Sequence, residues 1–133
     1  MPYLNVKIVA PASKETAAKV ASLLSDLTAS MLGKKPELTA IAVEFMQPEF
    51  WFVGGVPVST SGVSTFYLDI KVTEGTNTKN EKAAYVKQVF AGMEAILGRV
   101  ASASYIVIHE VHADAWGYQG ETQEFRYIKG KSL

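Results

Sequence analysis

The segment YLNVKIV at residues 3–9 alternates strictly, with Leu4, Val6 and Ile8 on one face and Tyr3, Asn5 and Lys7 on the other, which predicts a strand. Beyond Pro11 the period lengthens. Ser13 is placed to cap a helix in which Ala17, Val20, Leu23, Leu24, Leu27 and Met31 recur at helical spacing until Gly33 closes it. Alternation returns over residues 39–46, where Ile41, Val43 and Phe45 are set against Ala40, Ala42 and Glu44. The second half repeats the plan. Over residues 65–72, Phe66, Leu68, Ile70 and Val72 alternate with Tyr67, Asp69 and Lys71, and Thr78 with Glu81 forms a capping box. Val86, Phe90, Met93, Ile96 and Leu97 make the stripe of a second helix, and residues 104–111 set Ile106 and Ile108 against Tyr105, Val107 and His109. Between the halves, FWFVGGVPVSTSG has the content of short strands around Gly54-Gly55 and predicts a small hairpin. Near the C-terminus, TQEFRYI reads as a further short edge strand.

Parallel strands joined by a helix make a βαβ unit, and two such units can share one four-stranded sheet with both helices on one face. The expected fold is therefore α+β (α/β), built from tandem βαβ units at about residues 2–47 and 64–112. A hairpin at 48–63 and a tail at 118–133 complete a single domain spanning 1–133. The far face of the sheet would carry Tyr3, Asn5, Lys7, Glu44, Tyr67, Asp69, Lys71, Tyr105 and His109. A solvated face would explain each strand alone, but this mixture of tyrosines and charges across four strands points to an assembly surface.

Composition removes several functions. With 13 Lys and Arg against 13 Asp and Glu and no long run of either sign, neither nucleic acid nor an acidic membrane surface is an expected partner. The absence of cysteine excludes disulfides and thiolate catalysis, and the two histidines lack a partner set for zinc. The start MPYLNVKIVA has neither the charge nor the apolar length of a signal peptide, so the expected location is the cytoplasm. A domain of 133 residues can bury a real core.

A Pro directly after Met1, two consecutive βαβ units and no cysteine together resemble the tautomerase superfamily. The run GKKPELTAIAVEF followed by WFVGGV is similar to the corresponding stretch of the macrophage migration inhibitory factor branch, and WFVGGV also resembles the cis-3-chloroacrylic acid dehalogenases. At the other end, HEVHADAWGYQG is similar to the terminal segment of 4-oxalocrotonate tautomerases and malonate semialdehyde decarboxylases. The likeness covers about residues 2–120. It implies a tautomerase-like fold, a homotrimer with pockets at subunit boundaries, no cofactor, and a small 2-oxo acid or its enol as the substrate.

It also implies roles for particular residues. Pro2, once Met1 is removed, would be the general base, because burial near cations lowers the pKa of a terminal amine and leaves it neutral. Lys34, aligned with the family's substrate-contacting lysine, would hold a carboxylate, although a helix C-terminus alone can explain a lysine there. Tyr105 matches an active-site tyrosine given by a neighbouring subunit, and Trp116 matches an aromatic pocket wall; ordinary packing is the alternative for both. Asp69, on one strand face with Lys71, lies near the position that flanks the pocket, where it would raise the amine pKa; a surface ion pair is the alternative. His109 and His112 have nothing in the sequence to orient them as acid and base.

Departures from the family narrow these expectations. The loop KVTEGTNTKN places Thr73 and Thr76 where the dehalogenases and the decarboxylases carry two arginines, and Tyr118 falls near the dehalogenases' water-activating acid. No arginine stands around Pro11 and Ala12, so a monocarboxylate suits the single Lys34 better than a dicarboxylate. Val107 replaces an asparagine of the inhibitory-factor branch. A non-catalytic interaction protein of the same fold, or a hydratase or dehalogenase-type member, are the alternatives to a tautomerase.

Overall fold

The computed structural model describes residues 1–131. In chain order the elements are β1 (Tyr3–Val9), α1 (Lys14–Leu32), β2 (Ala40–Met46), β3 (Phe52–Val53), β4 (Val56–Pro57), β5 (Thr65–Thr73), α2 (Lys79–Leu97), β6 (Tyr105–Val111), β7 (Gly117–Tyr118), β8 (Glu121–Thr122) and α3 (Gln123–Lys129). The main sheet has the order β2-β1-β5-β6, so the fold is α+β with a mixed four-stranded sheet. Strands β1 and β2 run parallel, as do β5 and β6, whereas β1 and β5 are antiparallel in the centre. Tyr3 lies opposite Lys71 and Val9 opposite Thr65, so the start of β1 and the end of β5 share one end of the sheet.

The helices form where the sequence signals them. Ser13 accepts from the Thr16 amide at 3.2 Å, and Gly33, with φ at 69°, closes α1 by donating to the Ala29 carbonyl. Thr78 and Glu81 make a reciprocal capping box on α2, which satisfies two amides that the helix leaves unpaired. Both helices cover one face of the sheet. Leu4, Val6, Ile8, Leu68 and Ile70 are wholly buried there against Val20, Leu24, Val89 and Met93. Full burial stabilises each such side chain by about 1.5–3 kcal/mol relative to exposure.

The other face carries the predicted polar and aromatic set in three rows. Ala40, Tyr3, Lys71 and His109 lie abreast, then Ala42, Asn5, Asp69 and Val107, then Glu44, Lys7, Tyr67 and Tyr105. The Gly54-Gly55 hairpin is present as β3 and β4, with φ at 60° and 77° at its two glycines, the twist a two-residue turn requires. The expected edge strand in TQEFRYI is corrected: Gln123–Lys129 is helix α3. Its N-terminus is fixed by Thr122, whose hydroxyl accepts from the Phe125 amide at 3.0 Å. Phe125, Tyr127 and Ile128 gave the segment its strand-like composition, but all three are exposed, so it has no apolar face to lay on a sheet.

Among the described residues, one side-chain hydrogen bond crosses the buried helix pair. Thr28 of α1 and Tyr85 of α2 share a 2.9 Å hydrogen bond, and burial pushes the Tyr85 phenol up to about 12. Tyr85→Phe removes the phenol and strands the Thr28 hydroxyl, so we expect a loss of about 1–2 kcal/mol in chemical denaturation with unchanged slope.

Candidate active site

Four chain segments converge at the end of the sheet where β1 begins. Buried Pro2 leads into β1, its carbonyl accepting from the Ala40 amide at 3.4 Å. Lys34 follows the αL glycine that ends α1, the loop 73–77 follows β5, and the segment 116–123 follows β6. A cavity of about 250 Å³ at this end is lined by Met1, Lys34, Leu38, Tyr118 and Gln123, among others. That is near the lower bound for a small-molecule site, about 300 Å³.

Lys34 is half-buried and held from one side. Its Nζ donates to Thr76 Oγ1 at 2.9 Å; the Thr76 hydroxyl in turn donates to the Thr73 carbonyl at 2.6 Å. The Thr73 hydroxyl oxygen accepts from Trp116 Nε1 at 3.2 Å. The two threonines that stand in place of arginines thus tie Lys34 to Trp116 and aim both. Burial lowers the Lys34 pKa from its ordinary value, and nearby Glu81 opposes the shift. Burial also lowers the terminal amine of Met1, with the Lys34 charge adding to the effect. The Met1 amine is therefore shifted toward its neutral form. While Met1 is attached the Pro2 nitrogen is a tertiary amide and has no basic lone pair.

Lys34 and Trp116 are brought to the Pro2 end, Trp116 lining a neighbouring cavity with Asp114 and Glu121. Asp69 and Tyr105 are not. Asp69 pairs with Lys71 at 3.2 Å and His109 at 3.3 Å, on the open sheet face beside a different cavity that it lines with Asn5, Lys7 and Trp51. Tyr105, 59% exposed, lies in the row of Lys7 and Tyr67, four residues along β1 from Tyr3, or about 13 Å at strand rise. The Tyr105 side chain of the same protomer cannot close that gap. The histidines do have orienting partners: His112 Nδ1 lies 2.5 Å from Glu74, and His109 meets Asp69. Both contacts are non-local in sequence, which hid them. A larger groove of about 610 Å³ opens at the opposite end of β1, between Ala10, Phe45, Pro48 and Val63, but no ionisable side chain lines it. Among the described residues no group of three or more His, Cys, Asp or Glu could hold a metal ion, and no helix is long and apolar enough to cross a membrane.

Tyr118 and Gln123 were missed as pocket residues because their placement depends on the β7–β8 hairpin. Gln119 and Gly120 turn it with φ at 56° and 81°, and the Gln123 and Glu124 amides donate to the carbonyls of Trp116 and Ala113, each at 2.9 Å. Arg126 locks the turn, its guanidinium 3.8 Å above the Tyr118 ring and its Nη2 donating to the Tyr118 carbonyl at 3.1 Å.

A family model described as Tautomerase enzyme matches residues 2–61 and 67–126, one match over each βαβ unit. The chain belongs to the tautomerase family. Among solved structures, a fused 4-OT wild-type symmetric trimer is similar over 97% of this chain and 99% of that one, with a TM-score of 0.81 and 18% identity. The structure of Pt0534 inactivated by 2-oxo-3-pentynoate also reaches 0.81, at 12% identity, over 97% and 99%. A macrophage migration inhibitory factor-like protein from Entamoeba histolytica gives 0.73 at 20% identity, over 91% and 97%. At these identities the likeness is one of fold. None of the curated proteins matches the chain by sequence.

The hairpin can be tested apart from any activity. A Cβ on Gly117 would lie 1.9 Å from the Glu121 carbonyl oxygen, so Gly117→Ala must open the turn. With a local penalty of about 1–3 kcal/mol, hydrogen exchange at the Gln123 and Glu124 amides should speed by about tenfold or more, while protection of the four-stranded sheet is retained.

Proposed function

We propose that the protein is a cofactor-independent keto-enol tautomerase acting on a small 2-oxo monocarboxylate, with Pro2 as general base after removal of Met1. The observation that carries this reading is the convergence of the buried start of β1 with half-buried Lys34, whose charge and surroundings lower the pKa of a terminal amine there. Freed of Met1, Pro2 presents a secondary amine one residue further into the same environment. The neutral amine takes a proton from the carbon beside the keto group, Lys34 holds the carboxylate and the developing enolate oxygen, and the proton returns to oxygen; the reverse course gives the ketone. Trp116, tied to Lys34 through Thr73 and Thr76, would back the site as an apolar support.

The substrate class draws support from Pt0534, a protein of the same fold that is inactivated by a 2-oxo acid. The assembly we propose is a homotrimer, supported by the trimeric fused 4-OT relative and by the polar and aromatic sheet face. In it, Tyr105 would complete the cavity of a neighbouring copy, a role its distance from Pro2 within one protomer leaves open only to a second chain. Asp69 takes no part in this reading, and a cytoplasmic setting belongs to it.

Two measurements test the chemistry. With Met1 loss verified by intact mass, Pro2→Ala should turn over phenylpyruvate about 100-fold more slowly or worse; equal rates would remove Pro2 from the mechanism. For the mature chain, kcat/KM should climb with pH as the amine loses its proton and then level. Lys34→Gln removes a cation that disfavours the ammonium form, so the amine pKa rises and this acid limb moves to higher pH. A limb that stays put, or moves down, would show that Lys34 does not act on the base.

A further inference from the structure

Gln123 is the first residue of α3, and its side chain lines the cavity that also holds Lys34, Tyr118 and Met1. Its Nε2 is buried and has no hydrogen-bond partner among the described residues. An amide donor left unpaired in a buried position costs about 1–3 kcal/mol, and most buried amides avoid that cost by pairing. The surroundings of this amide are fixed: its backbone N–H is bonded to Trp116, and Arg126 clamps the neighbouring Tyr118 from behind. Met1 lines the same cavity, so the cleavage that would free the Pro2 amine also widens the space beside Gln123.

We propose that Gln123 is a specificity-determining residue whose side-chain amide donates a hydrogen bond to the substrate carboxylate, sharing that group with Lys34. This rests on the 2-oxo acid reading given above. The ligand it fits is a planar monocarboxylate: one oxygen meets the Lys34 ammonium, the other meets a neutral amide. A second carboxylate in the substrate would meet only Lys35, which lines this cavity from its exposed rim where an ion pair gains little, because Arg126 is committed to Tyr118 and Glu121. The tail that the sequence offered as an edge strand thus becomes one wall of the pocket.

The test compares the mature chain with Gln123→Leu, which keeps the bulk and loses the donor, and Gln123→Glu, which keeps the shape and adds a like charge. KM for phenylpyruvate should rise about tenfold in the first and further in the second, with kcat within about threefold of the parent. Binding of unreactive phenylacetate, measured by calorimetry in a Pro2→Ala background, should weaken by the same factor. In the unsubstituted chain, the assigned Gln123 side-chain NH₂ resonances should move on addition of phenylacetate, a readout independent of whether either variant folds. Resonances that stay fixed, or parental KM and affinity in folded variants, overturn the assignment to Gln123. If instead Pro2→Ala keeps full turnover while phenylacetate still depends on Gln123, the catalytic reading fails and the binding site stands.

Discussion

Antiparallel pairing of β1 with β5 is the constraint from which the rest of the molecule follows. Each βαβ unit on its own would place the start of its first strand at one end and the loop leaving its second strand at the other. Because β1 and β5 run in opposite directions at the centre of the sheet, the start of the first unit meets the exits of the second. Pro2 and Lys34 already share one end within the first unit, and this pairing brings the Thr73–Asn77 loop and the Trp116–Gln123 segment to them. The opposite end receives the loop after β1 and the β3–β4 hairpin, and its larger groove has no ionisable lining.

The gathered end is electrostatically uneven in a useful way. A lysine that is half-buried loses hydration, so its charge is less favourable, yet Glu81 and the Thr76 hydroxyl keep it supported. An amine placed beside that lysine is pushed toward neutrality both by burial and by the like charge. On the lysine, burial likewise disfavours the charged form, and Glu81 offsets it only in part. Thr73 and Thr76 contribute by geometry alone: they connect Lys34 to Trp116 through two hydroxyls, where arginines would have brought further charge.

Opposed demands also meet in the C-terminal segment. The helix α3 leaves Phe125, Tyr127 and Ile128 exposed, and its hold on the domain comes from backbone bonds to Trp116 and Ala113 together with the Arg126–Tyr118 stack. Such a segment is positioned by a few directional contacts, with little apolar burial of its own. Small changes in the β7–β8 turn are therefore transmitted to the pocket wall, while the core formed by the sheet and the two long helices is insulated from them.

Alternation at Leu4, Val6 and Ile8 and at Phe66, Leu68 and Ile70, the helical stripes between them, the Ser13 and Thr78 caps and the Gly54-Gly55 turn were all legible in the sequence. Each is set by neighbours a few residues apart, where periodicity and capping chemistry act. Pro2 and Lys34 could be singled out because a chain start and a helix end are local features too. What the sequence alone could not decide was which groups meet across long separations: Thr76 with Lys34, Trp116 with Thr73, His109 with Asp69, and Gln123 with the Lys34 cavity. The strand-like composition of TQEFRYI likewise gave way to a helix, because the segment has no sheet face to join and Thr122 caps its first turn. Short-range patterns specified the elements; the site came into being only when the direction of the central strand pair brought their ends together.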